Sequence, residues 1–471
     1  MWGLRLAGTS HLLLAGGCLY GVRMPEKTLA QRDLEVVWHP CTQMQDHETL
    51  PLIAIRRGQG VWLEDYDGKR YIDAVSSWWV NLFGHANPRI NAAIASQAQE
   101  LEHVILAGFT HEPVIVLSER LVRMTPAGLS RCFYADSGSA AVEIALKMSF
   151  HYWQNRGCTS KVQFLSLKNS YHGETLGALS VGDVALYKET YEPLLLKCRT
   201  VTSPDCYQRE PGATWEEHSV RVFAHMEQML EHYHESTCAV IVEPLVQCAG
   251  HMRMYHPVYL KLLRRACDKY DVHLIADEIA VGFGRTGSMF ACEQAGISPD
   301  FLCLGKGLTG GYLPLSVCLT TDDVYAAFYA DYVALKAFLH SHSFTGNPLS
   351  CAAALATLDI FEQDRVIEQN RRLSAHMART CKRFKDHPHV GEVRQTGMIL
   401  ALEMVATRTP RAHFAWQERR GLQVYRHGLA NGALLRPLGD VVYFMPPYVI
   451  TPEEIDLLAD IAWEGINKAT S

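Results

Sequence analysis

The amino-acid sequence predicts an α/β fold: a large domain on a mainly parallel central sheet flanked by helices, with a smaller α+β domain beside it. Three observations predict it. Between Cys132 and Leu319, short β-branched runs alternate with longer helical stretches, the pattern of an open sheet carrying helices on both faces. Most of those runs are apolar at consecutive positions, as strands covered on both faces require. The two ends of the chain read differently, as a small strand meander before residue 75 and a helix-rich stretch after residue 348.

Taken in order, residues 1–23 hold an apolar patch from Leu12 to Val22, broken by Gly16, Gly17 and Gly21 and preceded by Arg5. It is short, and no clean small-residue cleavage site follows, so a secretory signal or mitochondrial presequence is the weaker reading. Met24 opens an ordinary protein start, and 1–23 reads as a dispensable extension or a misassigned start. No other stretch reaches the roughly 18 apolar residues of a membrane span. Strands are expected at 52–57, 60–65 and 69–73, with Asp67-Gly68 as a turn between the last two. The central strands are expected at 132–134, 162–167, 239–243, 273–277, 301–304 and 315–319, with helices at 140–154, 220–234 and 257–270. Residues 348–387 are helical in pattern; strands follow at 390–395 and 399–405, then a helix and a hairpin near 434–444. Thr451-Pro452-Glu453-Glu454 starts a last helix, with threonine at the cap and proline at the first position. Residues 76–347 are therefore expected to form the large domain, and 24–75 with 348–471 the small one.

Composition narrows the function classes. Of the 471 residues, 48% are hydrophobic and 20% charged, which excludes a disordered chain, a collagen and a coiled coil. The net charge is −6 and the 44 Lys and Arg are scattered, so neither nucleic acid nor a membrane is expected as a partner. The 14 cysteines form no close-spaced framework and read as reduced thiols in a reducing compartment, with a cytoplasmic location expected. The 22 histidines show no metal-binding spacing, and no metal site is expected.

In an open α/β sheet, ligands sit at the carboxyl ends of the strands. After the first central strand come Ala135-Asp136-Ser137-Gly138-Ser139, then a helix. Small residues there let backbone amides and a hydroxyl surround a phosphate, although an ordinary serine-capped helix has the same appearance. The strand at 273–277 ends on Asp277. The one at 301–304 is followed by Gly305-Lys306-Gly307. A lysine between glycines at a strand end is open to desolvation, which lowers its pKa and makes it a nucleophile toward carbonyls. Alone, the two residues read equally as a structural ion pair. Together, a phosphate cradle, an acid and an imine-forming lysine are the parts that hold pyridoxal 5'-phosphate.

The run from Leu274 to Gly287 followed by the run from Phe301 to Ser316 resembles the signature of the class III, fold-type I pyridoxal-phosphate aminotransferases. Further motifs recur in that family's order: Trp38-His39-Pro40, Ser76-Ser77-Trp78-Trp79, Asp136-Ser137-Gly138-Ser139, Tyr171-His172-Gly173-Glu174-Thr175, Glu243-Pro244, Gly346-Asn347-Pro348-Leu349 and Arg436-Pro437-Leu438-Gly439. Trp78-Trp79, Trp38-His39-Pro40 and Arg436 are similar to the branch that aminates 8-amino-7-oxononanoate in biotin synthesis, and they separate it from ornithine- or 4-aminobutyrate-type members.

The resemblance implies a homodimer with active sites at the interface, a ping-pong reaction and S-adenosylmethionine as amino donor. It implies that Lys306 holds the cofactor and shuttles a proton, and that Asp277 pairs with the pyridinium nitrogen. Gly138 and Ser139 bind the phosphate, Tyr171 stacks on the ring, and Glu243 lies near the cofactor's polar edge. The segment Ser341-His342-Ser343 stands where members often have Gly-Pro-Thr, and Ser343, with His342 beside it, completes the neighbouring subunit's phosphate site. Trp78 and Trp79 line the aliphatic channel, Arg436 grips the distant carboxylate, and Arg285 meets the donor's charged end. Cys41, Ser341 and Tyr171 are expected to touch substrate. Cys41 replaces the tyrosine of a Trp-His-Pro-Tyr-Thr motif, which leaves lysine open as an alternative donor. Another class III ω-amino acid transaminase, or an idle ligand-binding protein on the same fold, are the rival readings.

Overall fold

Seven strands build the central sheet of the computed structural model: β1 (Leu129–Ala135), β2 (Gln163–Leu167), β3 (Arg199–Val201), β4 (Thr237–Val242), β5 (His273–Asp277), β6 (Phe301–Leu304) and β7 (Ser316–Thr321). Their spatial order is β1-β7-β6-β5-β4-β2-β3. Strands β6, β5, β4, β2 and β3 run parallel, and β7 lies antiparallel to both β6 and β1. The central strands β4, β5 and β6 are buried at every position. Alternate residues serve opposite faces. Ala239, Ile241 and Ile275 pack with Ala141, Ile144 and Ala145 of the helix α1 (Gly138–Asn155). Val240, Val242 and Leu274 pack on the other face with Tyr259 and Leu263 of the helix Val258–Lys269. Covering both faces is what the unbroken apolar runs demanded.

Residues 27–471 are described by the structure, so the N-terminal extension expected at 1–23 lies outside the described residues. The chain divides into two compact units, Met1–Ala54 and Ile55–Ser471. In the first, the short helix Leu29–Leu34 is started by Thr28 and Gln31 in a capping box. The second holds the sheet above and every element below.

The expected meander is present as Ile55–Gln59, Trp62–Asp65 and Arg70–Asp73, all antiparallel. A strand from the far end of the chain joins it, because Ala433–Leu434 pairs in parallel with Ile72 and Asp73. Of the hairpin expected near 434–444 the tip forms, with Leu438 and Val441 exchanging backbone hydrogen bonds of 2.9 Å around Gly439-Asp440, but its arms do not pair with each other. Val441–Phe444 pairs instead with Ile399–Met404 in a separate sheet. Pro437 lacks the amide a ladder needs, and Gly439 sits at φ +55, so the connection swings the chain from one sheet to the other. The last helix, Pro452–Thr470, starts as expected: Thr451 accepts from the Glu454 amide and Glu454 returns the bond.

Candidate active site

Three candidate side chains stand at the carboxyl ends of three adjacent parallel strands. Asp277 ends β5 and lies in register with Cys303 of β6. Lys306 follows β6 after Gly305, in the left-handed region at φ +43. Glu243 follows β4. The Lys306 Nζ lies 4.9 Å from the centre of the Trp79 ring. Burial lowers the Lys306 pKa, opposed by its acidic neighbours Cys248, Asp277 and Glu243. An amine in such a place loses its proton more readily than a solvated lysine does.

Both carboxylates are anchored. Glu243 accepts from the Tyr171 amide at 2.9 Å and the Cys248 amide at 3.0 Å. Burial, and after it the charge of Asp277, pushes its pKa up to about 8. Asp277 Oδ2 pairs with His172 Nδ1 at 2.8 Å, and its Oδ1 accepts from the Ile279 amide at 3.2 Å. His172 is sealed from solvent, and its Nε2 has no partner among the described residues. His172 thus fixes the aim of Asp277. It was not singled out from the sequence, although it lies inside the Tyr171-His172-Gly173 motif.

The loop before α1 is built as a cradle. Ser137 caps the helix by accepting from the Ala140 amide at 3.3 Å, and its own carbonyl accepts from Ser316 Oγ at 2.6 Å. Helix geometry leaves the first amides, those of Gly138 and Ser139, without intrahelical acceptors. A Cβ on Gly138 would meet Ile279 Cγ2 at 2.9 Å, so the glycine lets this loop close on the segment after Asp277. Gly173, at φ +123, does the same against Ser139: a Cβ there would lie 2.3 Å from Ser139 Cβ. Tyr171 donates from its hydroxyl to Glu174 at 3.0 Å and meets Tyr187 edge-on.

The tryptophan pair sits on an unusual backbone. Ser76, Ser77, Trp78 and Trp79 have φ of +51, +45, +76 and +72. A left-handed residue with a side chain costs roughly 1–2 kcal/mol. Trp79 is buried and donates from Nε1 to the Tyr443 hydroxyl at 2.9 Å. Trp78 is 40% exposed, and the Arg436 guanidinium lies 4.3 Å from its ring centre. Adjacent tryptophans therefore face Lys306 and Arg436. Nothing in the sequence pattern pointed to Tyr443.

Arg285, expected at the donor's charged end, is deeply buried. It is 1% exposed, and its fork donates to the carbonyls of Pro446 at 2.8 Å and Asn81 at 3.0 Å. It braces the segment after Trp79 against residues 445–446, and burial lowers its pKa. Ser341 and Ser343 are exposed. His342 lies 3.6 Å from Asp136 and 3.1 Å from His340. Cys41 is exposed at φ +48 and belongs to the first compact unit.

The family model described as aminotransferase class-III matches residues 43–464. A Helicobacter pylori protein named adenosylmethionine-8-amino-7-oxononanoate aminotransferase is 49% identical, over 91% of this chain and 95% of that protein. A Geobacter sulfurreducens protein of the same name is 42% identical, over 94% and 98%. Among solved structures, the enzyme of that name from Methanocaldococcus jannaschii superposes with a TM-score of 0.88 at 39% identity, covering 93% of this chain and 98% of that one. An omega transaminase from Pseudomonas jessenii, in complex with PMP, gives 0.90 at 30%, covering 94% and 98%. With its mainly parallel sheet and its lysine and acids at the strand ends, the chain belongs to the class-III aminotransferases, a fold-type I family, in the branch of the adenosylmethionine-8-amino-7-oxononanoate aminotransferases.

Proposed function

We propose that the chain is a transaminase of biotin synthesis, moving an amine from S-adenosylmethionine to 8-amino-7-oxononanoate with pyridoxal 5'-phosphate as cofactor. The convergence of Lys306, Asp277 and Glu243 at neighbouring strand ends carries this reading. The donor set suits the cofactor: a desolvated amine for its aldehyde, a carboxylate for its ring nitrogen, and helix amides with Ser139 for its phosphate. When bound, pyridoxal phosphate supplies the electron sink that makes amine exchange between carbon skeletons feasible.

The chain's own residues do the rest. Lys306, with its lowered pKa, takes and returns the proton at the substrate Cα. His172 holds Asp277 aimed, while Glu243, protonated near neutrality, spares the site a second full negative charge. Tyr171 covers the ring. Trp78 and Trp79 line the path of the aliphatic chain, and Arg436 binds the distant carboxylate. Arg285 keeps the tryptophan segment in place while the donor binds. Two half-reactions through one site give ping-pong kinetics. Lysine as donor is the second reading, because Cys41 stands where the branch has tyrosine.

A homodimer is part of the same reading. Tyr329, Tyr332, Val333, Leu335, Leu339 and Phe344 are exposed around Ser341, His342 and Ser343, and an apolar strip of that kind marks a protein interface. A second copy covering it would receive Ser343 at its phosphate site. Among the described residues no helix is long and apolar enough to cross a membrane. The buried free thiols, such as Cys238, Cys267 and Cys303, suit a reducing, cytoplasmic setting.

The test is amino transfer by the purified protein, with S-adenosylmethionine and lysine compared as donors and 8-amino-7-oxononanoate and pyruvate as acceptors. The expected result is 7,8-diaminononanoate formed with S-adenosylmethionine, and no turnover in Lys306→Ala. Activity on pyruvate with none on 8-amino-7-oxononanoate would assign another ω-amino acid transaminase. A colourless protein without a visible cofactor band would overturn the reading.

A further inference from the structure

The left-handed turn Ser76–Trp79 places four consecutive side-chain-bearing residues where Cβ crowds the carbonyl oxygen. Such a stretch persists only where its surroundings over-determine it. One buried carboxylate does so. Asp73 has no exposed surface. Its Oδ1 accepts from the Ser77 amide at 2.9 Å and the Val75 amide at 3.3 Å, and its Oδ2 accepts from Ser77 Oγ at 2.7 Å.

Asp73 is itself held. His85 Nε2 meets Oδ2 at 3.1 Å, and Asn81 Nδ2 lies 3.2 Å from the other ring nitrogen, Nδ1. That contact leaves Nε2 as the donor to Asp73. His85 is seated by its backbone, which exchanges hydrogen bonds of 2.7 and 3.1 Å with Gly60. Its side chain lies on Gly58, where a Cβ would come within 2.6 Å of His85 Cβ. Beyond the turn, Ser76 Oγ donates to the Met445 carbonyl at 2.7 Å. The hydrogen bonds to Asp73 fall on the turn residues that carry the strain.

We propose that Asp73, seated by His85 and Asn81, is a positioning residue for acceptor recognition. It holds the left-handed turn that sets Trp79 over the Lys306 amine and Trp78 against Arg436. It thereby fixes the spacing between the reacting end and the carboxylate-binding end of the aliphatic channel. The ligand class is an unbranched aliphatic chain with an anionic terminus. The inference rests on the functional reading above, in which both tryptophans line the acceptor's path.

The test uses Asp73→Asn and the milder His85→Gln, each purified as holoenzyme. In Asp73→Asn the KM for 8-amino-7-oxononanoate should rise about ten-fold or more while kcat falls less than about three-fold, the split of lost substrate positioning. The near-ultraviolet circular dichroism of the tryptophans should change, with the far-ultraviolet spectrum and the visible cofactor band unaltered. His85→Gln should shift the same readouts in the same direction by a smaller amount, and it decides the matter should Asp73→Asn fail to fold. Adding Ser77→Gly to Asp73→Asn should return the KM to within about three-fold of the parent, because glycine enters the left-handed region without the Cβ penalty. An unchanged KM in the single variants, or a raised KM that Ser77→Gly leaves uncorrected, overturns the proposal. Should the parent not accept 8-amino-7-oxononanoate, the functional reading fails on its own. The tryptophan dichroism then decides the positioning role, and an unaltered spectrum in Asp73→Asn refutes it.

Discussion

At the residue scale, the site works through desolvation. Lys306 and Glu243 are both pushed toward their neutral forms by burial, while Asp277 is tied to His172. Glu243 gives this a measurable sign. Its pKa moves from 4.5 to about 8 on folding, so across that window the folded state holds a proton the unfolded chain has released. Stability of the cofactor-free protein therefore falls as pH rises through the window. Glu243→Gln removes the titration. Urea unfolding should show the variant gaining on the parent steadily from the lower end of the window to the upper. A gap independent of pH would mean Glu243 is ionised throughout. Arg436→Gln should raise the acceptor KM by about ten-fold to a hundred-fold, the worth of a charged hydrogen-bonding partner, with donor KM little changed in steady-state assays. Lys306, Asp277 and Gly138 were legible in sequence because each stands at or just after the end of a recognisable strand. Tyr443 and Asp73 were not, since their partners, Trp79 and Ser77, are reached only through a folded turn.

At the element scale, glycines and caps decide how helices and strands meet. Gly173 allows its loop to touch Ser139 at the start of α1, and its φ of +123 is closed to other residues. Gly173→Ala should displace the helix start and weaken cofactor binding by about ten-fold or more, read by titrating the apoprotein and following visible absorbance. Wild-type affinity in that variant would show that the loop yields without disturbing the cradle. The last helix offers a control remote from the chemistry. Thr451→Ala removes the capping hydroxyl and should cost about 1 kcal/mol in chemical denaturation without altering kcat. The central strands were legible because continuous apolar runs carry a burial signal at short range. At 434–444 the hairpin tip at Leu438 and Val441 is present while its arms join different sheets, because two short apolar runs near a Pro and a Gly look alike whether they pair with each other or not.

At the scale of the whole molecule, the exposed apolar strip around Ser343 predicts assembly. Sedimentation should give a dimer for the parent. Tyr332→Asp with Leu339→Asp should yield a monomer that has lost most of its activity, since each phosphate site then lacks the neighbour's Ser343. An active monomer would show that one chain completes its own site. The distribution of the chain over its sheets follows the same long-range logic: Ala433 and Leu434 complete the sheet begun by residues 55–73.

By itself the sequence determined the class of fold, the family and which candidate residues stand at the strand ends, because apolar periodicity, glycine placement and a strand-terminal lysine are local features. Only the tertiary structure decided how those residues are held. It set Arg285 on the backbone carbonyls of Pro446 and Asn81, seated Asp277 on His172, and wound Ser76–Trp79 into a left-handed turn clamped by Asp73. The physical reason is that a buried donor or acceptor must find its partner wherever the chain brings one. Those partners, from Asn81 and Pro446 to Arg285 and from Ser77 to Asp73, are set by packing between distant segments rather than by any spacing along the chain.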